Sequence, residues 1–193
     1  MIAYLNGDFV NKTPAQVQVD VNGVGYEVQI SLNTFSKIQG MDKGKLHILM
    51  LVREDAHTLY GFYDLAEKEM FTQLIGVSGI GASTARVMLS YMKPEEVARA
   101  IVQQDTRTLE SVKGIGKKTA ERMVVELRDR LAKQPLEINI SPVKNNTLQQ
   151  DAFNALTALG ISRQAAEQAV QKTLTAEPQL SVEELIKKAL RTL

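Results

Sequence analysis

Two Gly-Ile-Gly triplets, Gly79-Ile80-Gly81 and Gly114-Ile115-Gly116, have the residue types and spacing to do chemistry, and that chemistry is the binding of phosphate. Laying residue 71 on residue 106 shows that both belong to an internal repeat with a period of 35 residues. Leu74, Val77, Gly79, Ile80, Gly81, Thr84, Ala85 and Met88 meet Leu109, Val112, Gly114, Ile115, Gly116, Thr119, Ala120 and Met123, and all eight pairs are identical. Each copy reads as a helix, a tight apolar turn and a second helix entered at once. Glycine lets the backbone turn sharply, and its missing side chain lets a phosphate come close. The free N–H groups at the head of the second helix then point outward at the positive end of its dipole, a ready anion site. Ile80 and Ile115 are expected to anchor the turns in the core, and Ala85 and Ala120 to let the paired helices approach closely.

The candidate contacts are Gly79, Gly81, Ala82 and Ser83 in the first copy and Gly114, Gly116, Lys117, Lys118 and Arg122 in the second. The copies differ in charge. The second offers two lysines where the first has Ala82 and Ser83, and so relies on amides and the Ser83 hydroxyl. For one copy alone, a glycine-capped helical hairpin without a ligand remains open. Two copies in fixed register, one followed by paired lysines, favour the phosphate reading.

The overall charge of +1 hides an uneven distribution. Residues 1–63 carry 5 Lys/Arg against 6 Asp/Glu, residues 64–133 carry 12 against 10, and residues 134–193 carry 6 of each. The central segment is the most basic, and Lys113, Lys117, Lys118 and Arg122 gather around one glycine turn. Local charge, not the total, decides whether a surface attracts phosphates.

Several other functions are disfavoured. There is no cysteine, hence no disulfide framework or thiolate metal site, which fits a cytoplasmic protein. His47 and His57 are the only histidines, and neither joins a ligand-like cluster, so neither a zinc site nor a His-dependent triad is expected. No apolar run is long enough to cross a bilayer, and the first residues lack the pattern of a signal peptide. The segment Gly76 to Ser83 resembles a P-loop, but Ala82 stands where its lysine belongs and a helix, not a strand, precedes it. We expect no catalytic residue, metal or cofactor.

The turns need elements to hold them, and residues 1–63 read as strands. Val17 to Val21 and Val24 to Ile30 alternate apolar and polar residues on either side of Asn22-Gly23, a pair that accepts a type I′ hairpin turn. Met1 to Val10, Leu46 to Val52 and Thr58 to Tyr63 complete five strands, with a short helix within Ser31 to Ile38. That order suits an OB-type β-barrel. From Asp64 the period becomes helical, with Asp64 and Glu67 as a capping box and Leu65, Met70, Phe71, Leu74 and Ile75 as the apolar stripe. Pro94 opens a further helix through Val97 and Ile101, and Thr119 to Leu131 forms another. The Pro/Asn-rich stretch 134–146 reads as a flexible linker. Residues 147–193 resume helices: Phe153, Leu156 and Leu159 before Gly160; Ala166, Ala169 and Val170 after a Ser162 cap; Leu185, Ile186 and Leu190 after a Ser181–Glu184 capping box. The fold expected is a multidomain α+β chain: a five-stranded barrel (1–63), a tandem helical-hairpin domain (64–133), a linker (134–146) and a three-helix bundle (147–193).

The paired hairpins resemble the helix-hairpin-helix family, which binds DNA through its phosphates without regard to sequence. Across the whole chain the sequence resembles the RuvA family of Holliday-junction branch-migration proteins. The resemblance rests on Asp20 to Glu27, on Arg53-Glu54-Asp55-Ala56-His57 with Leu59-Tyr60-Gly61-Phe62, and on Gly114 to Arg122. It implies a non-catalytic homotetramer, alone or as two tetramers, that holds four-way junction DNA open and square-planar. It further implies recruitment of the RuvB motor ATPase through 147–193, a RuvC-type junction resolvase as a further partner, and a part in DNA recombination, DNA repair and the SOS response to DNA damage. It also assigns Glu54 and Asp55 to an acidic pin, a pair of carboxylates near the crossover. Read without the family, the two are a solvated hairpin tip. As a pin, their fixed negative charge repels phosphates and disfavours continuous duplex. Family members often carry a lysine in the first hairpin, which this sequence lacks. The second hairpin also resembles that of base-excision glycosylases, but their downstream catalytic aspartate has no counterpart among Pro135, Leu136 and Glu137. A general DNA-binding subunit of a nuclease or repair complex is the other reading.

Overall fold

A computed structural model of the chain describes residues 1–133, 147–177 and 180–192. The chain divides into two compact units, 1–138 and 139–193.

The first unit begins with five strands: β1 (Tyr4–Thr13), β2 (Gln16–Val21), β3 (Val24–Ile30), β4 (Lys43–Val52) and β5 (His57–Phe62), with the helix α1 (Leu32–Ile38) between β3 and β4. They close into a barrel in the order β1-β2-β3-β5-β4. Every pairing is antiparallel except that of β3 with β5. The long strand β1 serves both neighbours, meeting β4 through Tyr4–Asp8 and β2 through Asp8–Thr13, with a bulge between Phe9 and Asn11. Closure leaves no free sheet edge for chance pairing. Alternate side chains turn inward, so that Leu5, Phe9, Val17, Val19, Val28, Ile30, Leu46, Ile48 and Leu59 form the barrel core, plugged by Ile38 of α1. The OB-type expectation holds. The Asn22-Gly23 turn has φ of 53° and 86°, the positive pair of a type I′ hairpin, and the Gly23 N–H donates to Asp20 Oδ1 at 2.7 Å.

Five helices follow: α2 (Leu65–Ile75), α3 (Ala82–Tyr91), α4 (Pro94–Val102), α5 (Thr106–Glu110) and α6 (Lys117–Lys133). Their shared core runs from Met70, Phe71 and Leu74 through Ile101 and Leu109 to Met123, Leu127 and Leu131. Phe62 of β5 belongs to the same core, and Tyr60 and Phe62 each place their rings 5.0 Å from that of Phe71. The barrel and the helices are thus joined through packed aromatic rings.

Two expectations for α2 need correction. Leu65 is exposed, and Asp64 makes no side-chain cap bond. Asp64 pairs instead with Lys37 of α1. Glu67 is 1% exposed, and its carboxylate accepts hydrogen bonds from Ser31 Oγ and, at 2.7 Å, from Thr34 Oγ1. Long-range partners on α1 therefore win over the local cap.

The second unit holds α7 (Thr147–Ala158), α8 (Arg163–Ala176) and α9 (Val182–Thr192). Ala152, Leu156, Ala166, Ala169, Val170, Leu185 and Ala189 form its core. Small side chains let three short helices pack closely. Ser162 caps α8 by accepting from the Ala165 N–H, and Ser181 and Glu184 make the reciprocal bonds of a capping box at α9. Leu159 and Leu190, expected in the apolar stripes, are exposed, and Ala189 takes the buried place on α9. The linker expected over 134–146 lies outside the described residues.

Candidate nucleic-acid interface

The two Gly-Ile-Gly turns have the same geometry. In each, the first glycine is left-handed, with φ of +96° at both Gly79 and Gly114. This conformation is costly for any residue carrying a Cβ. The isoleucine that follows drops into the core, since Ile80 and Ile115 are each 5% exposed. Its N–H donates back across the turn at 3.0 Å, Ile80 to the Val77 carbonyl and Ile115 to the Val112 carbonyl. Ala85 and Ala120 are fully buried in the shared helical core.

The second glycine of each triplet opens the next helix. Gly81 is the N-cap of α3, in extended conformation and without any side-chain cap bond. Its carbonyl accepts from the Ala85 N–H, as that of Gly116 accepts from the N–H groups of Thr119 and Ala120. The N–H groups of Gly81, Ala82 and Ser83, and of Gly116, Lys117 and Lys118, have no partner among the described residues. A side chain added at Gly81 or Gly116 would meet nothing within 4 Å, so the surface before these amides is open. Each turn is a row of donors, unpaired among the described residues, at the positive end of a helix.

The charged groups around them divide unevenly. Lys113, Lys117 and Lys118 are exposed at the second turn, and none makes an ion pair among the described residues. At the first turn Ser83 is exposed, but the Ala82 side chain is buried in the helical core, so position 82 offers only its backbone. Arg122 is not confined to the second turn. Its Nη1 donates to the Ser78 carbonyl at 3.0 Å, reaching the first.

Glu54 and Asp55 sit at the tip of the β4–β5 turn, which the Arg53 N–H closes by donating to the Ala56 carbonyl at 2.9 Å. Both carboxylates are exposed, and neither is bonded or paired among the described residues.

Sequence reasoning missed the contacts that fix the first hairpin on the barrel. Arg86 of α3 donates to the Ala15 carbonyl at 3.1 Å and to Gln29 Oε1 at 2.5 Å. Asn33 of α1 donates to the carbonyls of Leu89 and, at 3.2 Å, Met92, and the Leu32 N–H donates to Ser90 Oγ at 3.0 Å. With Glu67 these form a belt of directional bonds around α1. No local pattern betrays it, because the partners lie 33 to 71 residues apart.

A closed OB-type barrel, a tandem helix-hairpin-helix with free amides at both turns and a separate three-helix unit define a DNA-binding protein of modular build. Comparison with known families agrees along the chain. The RuvA N-terminal domain matches residues 1–61, a SAM-like helix-hairpin-helix tandem matches 71–129, and the RuvA C-terminal domain matches 147–193. Proteins named Holliday junction branch migration complex subunit RuvA, from Christiangramia forsetii and Cytophaga hutchinsonii, are each 43% identical to this chain, over 193 and 198 aligned residues. The alignments cover 100% and 99% of both partners respectively. The protein of that name from Bacteroides fragilis is 42% identical, with 100% of both chains covered. The chain belongs to the RuvA family.

Proposed function

We propose that this chain is the junction-binding scaffold of a branch-migration complex, gripping DNA phosphates at both hairpins and holding a four-way junction open and square-planar. The observation that carries the reading is the pair of matched turns, each presenting unpaired amides at a helix head, in a chain whose relatives bear the branch-migration name. Backbone amides recognise phosphate and not base, so binding is independent of sequence. Gly79, Gly81, the Ala82 amide and Ser83 serve one phosphate run, and Gly114, Gly116, Lys117 and Lys118 serve another, the two backbones flanking one minor groove.

Glu54 and Asp55 supply the discrimination. Fixed negative charge at an exposed tip repels phosphate and penalises a continuous duplex laid across it. Four copies around the crossover complete the scaffold, as one tetramer or two. Residues 147–193 recruit the RuvB motor ATPase, and a RuvC-type resolvase is a further partner on the same junction, in the cytoplasm.

The test is a gel-shift comparison of a four-way junction with linear duplex of equal length. Preferential retardation of the junction is the expected result. Equal affinity for both overturns the junction reading and leaves a general duplex-binding subunit. Light scattering with and without junction DNA gives the number of subunits bound.

A further inference from the structure

Arg122 lies in the second turn of α6, on the helix that the second hairpin opens. Its guanidinium nevertheless reaches the first hairpin, where Nη1 holds the carbonyl oxygen of Ser78 at 3.0 Å. Ser78 directly precedes Gly79, the left-handed residue of that turn. A contact runs the other way as well. The methyl group of Thr84, in the first turn of α3, lies 3.5 Å from where a Cβ on Gly114 would stand. Each hairpin's second helix therefore touches the other hairpin's glycine turn.

The first hairpin is short of positive charge. Ala82 is buried, Ser83 is neutral, and the one basic residue of α3, Arg86, is committed to the Ala15 carbonyl and Gln29 on the barrel. The second hairpin has Lys113, Lys117 and Lys118 exposed at its own turn, none of them in an ion pair among the described residues. The internal repeat offers no arginine in exchange, because the residue 35 positions before Arg122 is Val87. A guanidinium is a planar fork of five N–H donors that suits phosphate oxygens. One donor on Ser78 leaves others for a phosphate, and the same bond offsets the partial negative charge of a carbonyl next to the Gly79 turn.

We propose that Arg122, carried by the second repeat, is the phosphate-binding cation of the first hairpin. This rests on the reading of both hairpins as phosphate sites. Arg122 steadies the Ser78–Gly79 turn through one N–H and presents the remaining N–H groups beside the amides of Gly81, Ala82 and Ser83.

The test measures binding of the full chain to a labelled four-way junction across a salt series, for wild type and for Arg122→Ala, Arg122→Gln, Ser83→Lys and the double variant Arg122→Ala with Ser83→Lys. Withdrawing one cation from a phosphate should lower the log–log salt slope by about 0.9 per bound subunit, and Arg122→Ala should show that drop. Arg122→Gln keeps a polar side chain at the position without the charge and should show the same drop. Ser83→Lys adds a cation at an exposed position of the first hairpin. It should restore slope and affinity in the Arg122→Ala chain while adding far less to wild type.

Wild-type slope in Arg122→Gln reduces Arg122 to a structural strut and overturns the assignment. Equal gains from Ser83→Lys in both backgrounds overturn it too, by placing Arg122 at a different phosphate. A wild-type protein without salt-dependent junction binding sinks the phosphate reading itself. Wild-type binding with an unchanged slope in Arg122→Ala sinks only the role given to Arg122.

Discussion

Glu67 carries a carboxylate that is 1% exposed and that accepts from the hydroxyls of Ser31 and Thr34. Those hydroxyls have further tasks: Ser31 Oγ accepts from the Thr34 N–H and Thr34 Oγ1 from the Tyr63 N–H, each at 3.0 Å. In Glu67→Ala both hydroxyl donors lose their acceptor while staying buried or nearly so. An unsatisfied buried donor costs about 1–3 kcal/mol, and relief of the buried carboxylate's desolvation returns part of the sum. The net loss should be about 2–4 kcal/mol, in the range of a broken buried network. Glu67→Gln keeps the shape and one acceptor but sets an NH2 against the second hydroxyl, for a loss of about 1 kcal/mol. All five tyrosines lie in the first unit and the chain has no tryptophan, so tyrosine fluorescence in urea follows that unit alone. Stability of Glu67→Ala within about 0.5 kcal/mol of wild type, the range of an ordinary surface change, would refute the network's role.

The same residue sets a pH dependence. Burial pushes the Glu67 carboxyl above its usual value, the hydroxyls of Ser31 and Thr34 and the charge of Lys37 pull it partly back, and Asp64 adds a little upward. With the folded pKa above the unfolded one, the native state binds more protons between the two values. Stability from this group is then fully present below the unfolded pKa and lost as pH rises through the folded one. Glu67→Gln does not titrate. The stability difference, wild type minus Glu67→Gln, should therefore fall as pH rises from the ordinary glutamate range toward neutrality. A difference that is flat or rises with pH contradicts the raised carboxyl.

Glycine substitutions should separate folding from binding. Gly79→Ala forces a Cβ into φ of +96° and should cost about 1–2 kcal/mol of stability. Gly81→Ala has an extended backbone and open space, so it should melt as wild type does yet bind junction DNA more weakly, because the added methyl occupies open surface at the turn where a phosphate is proposed to approach. Lys117→Ala with Lys118→Ala should lower the salt slope by up to about 1.8 per bound subunit. An unchanged slope removes both lysines from the phosphate contact. Glu54→Ala with Asp55→Ala should raise binding to linear duplex in a filter assay, and unaltered duplex affinity ends their assignment as a repelling pin.

The legible parts of this fold are those whose cause is local. Asn22-Gly23 announces its turn because few other residue pairs tolerate two positive φ angles in succession. The hairpin pair is legible for a different reason: eight identical residues at one period report a repeated unit whatever its shape. Where a local rule competes with a distant partner, sequence reasoning fails. Asp64 and Glu67 have the spacing of a capping box, but α1 offers Glu67 two hydroxyls and Asp64 a lysine, and these partners win. Leu65 and Leu190 match apolar stripes yet lie on the solvent side of their helices, and Leu159 is exposed just past the end of α7, distinctions periodicity cannot draw near helix ends. Arg122 follows the second glycine turn in sequence and reaches the first in space. Side-chain reach of that kind has no sequence signature.

The belt around α1 bears on why a barrel is attached to a DNA grip at all. The proposed acidic tip can discriminate among DNA shapes only if it is held in a fixed relation to the amides proposed to bind phosphate. Apolar packing alone, such as Tyr60 and Phe62 against Phe71, holds two bodies together but tolerates small slides. Hydrogen bonds are directional, and those from Arg86 to Ala15 and Gln29, from Asn33 to Leu89 and Met92, and from Ser31 and Thr34 to Glu67 fix α1, α2, α3 and the barrel in one register. Buried polar groups of this sort add little net stability but lose much when one partner is missing, and so they disfavour every alternative docking. A variant that loosens the belt while the unit stays folded should therefore lose junction preference before it loses affinity for DNA. Glu67→Gln is the mildest such change, and the ratio of junction to duplex binding is the quantity that reads it.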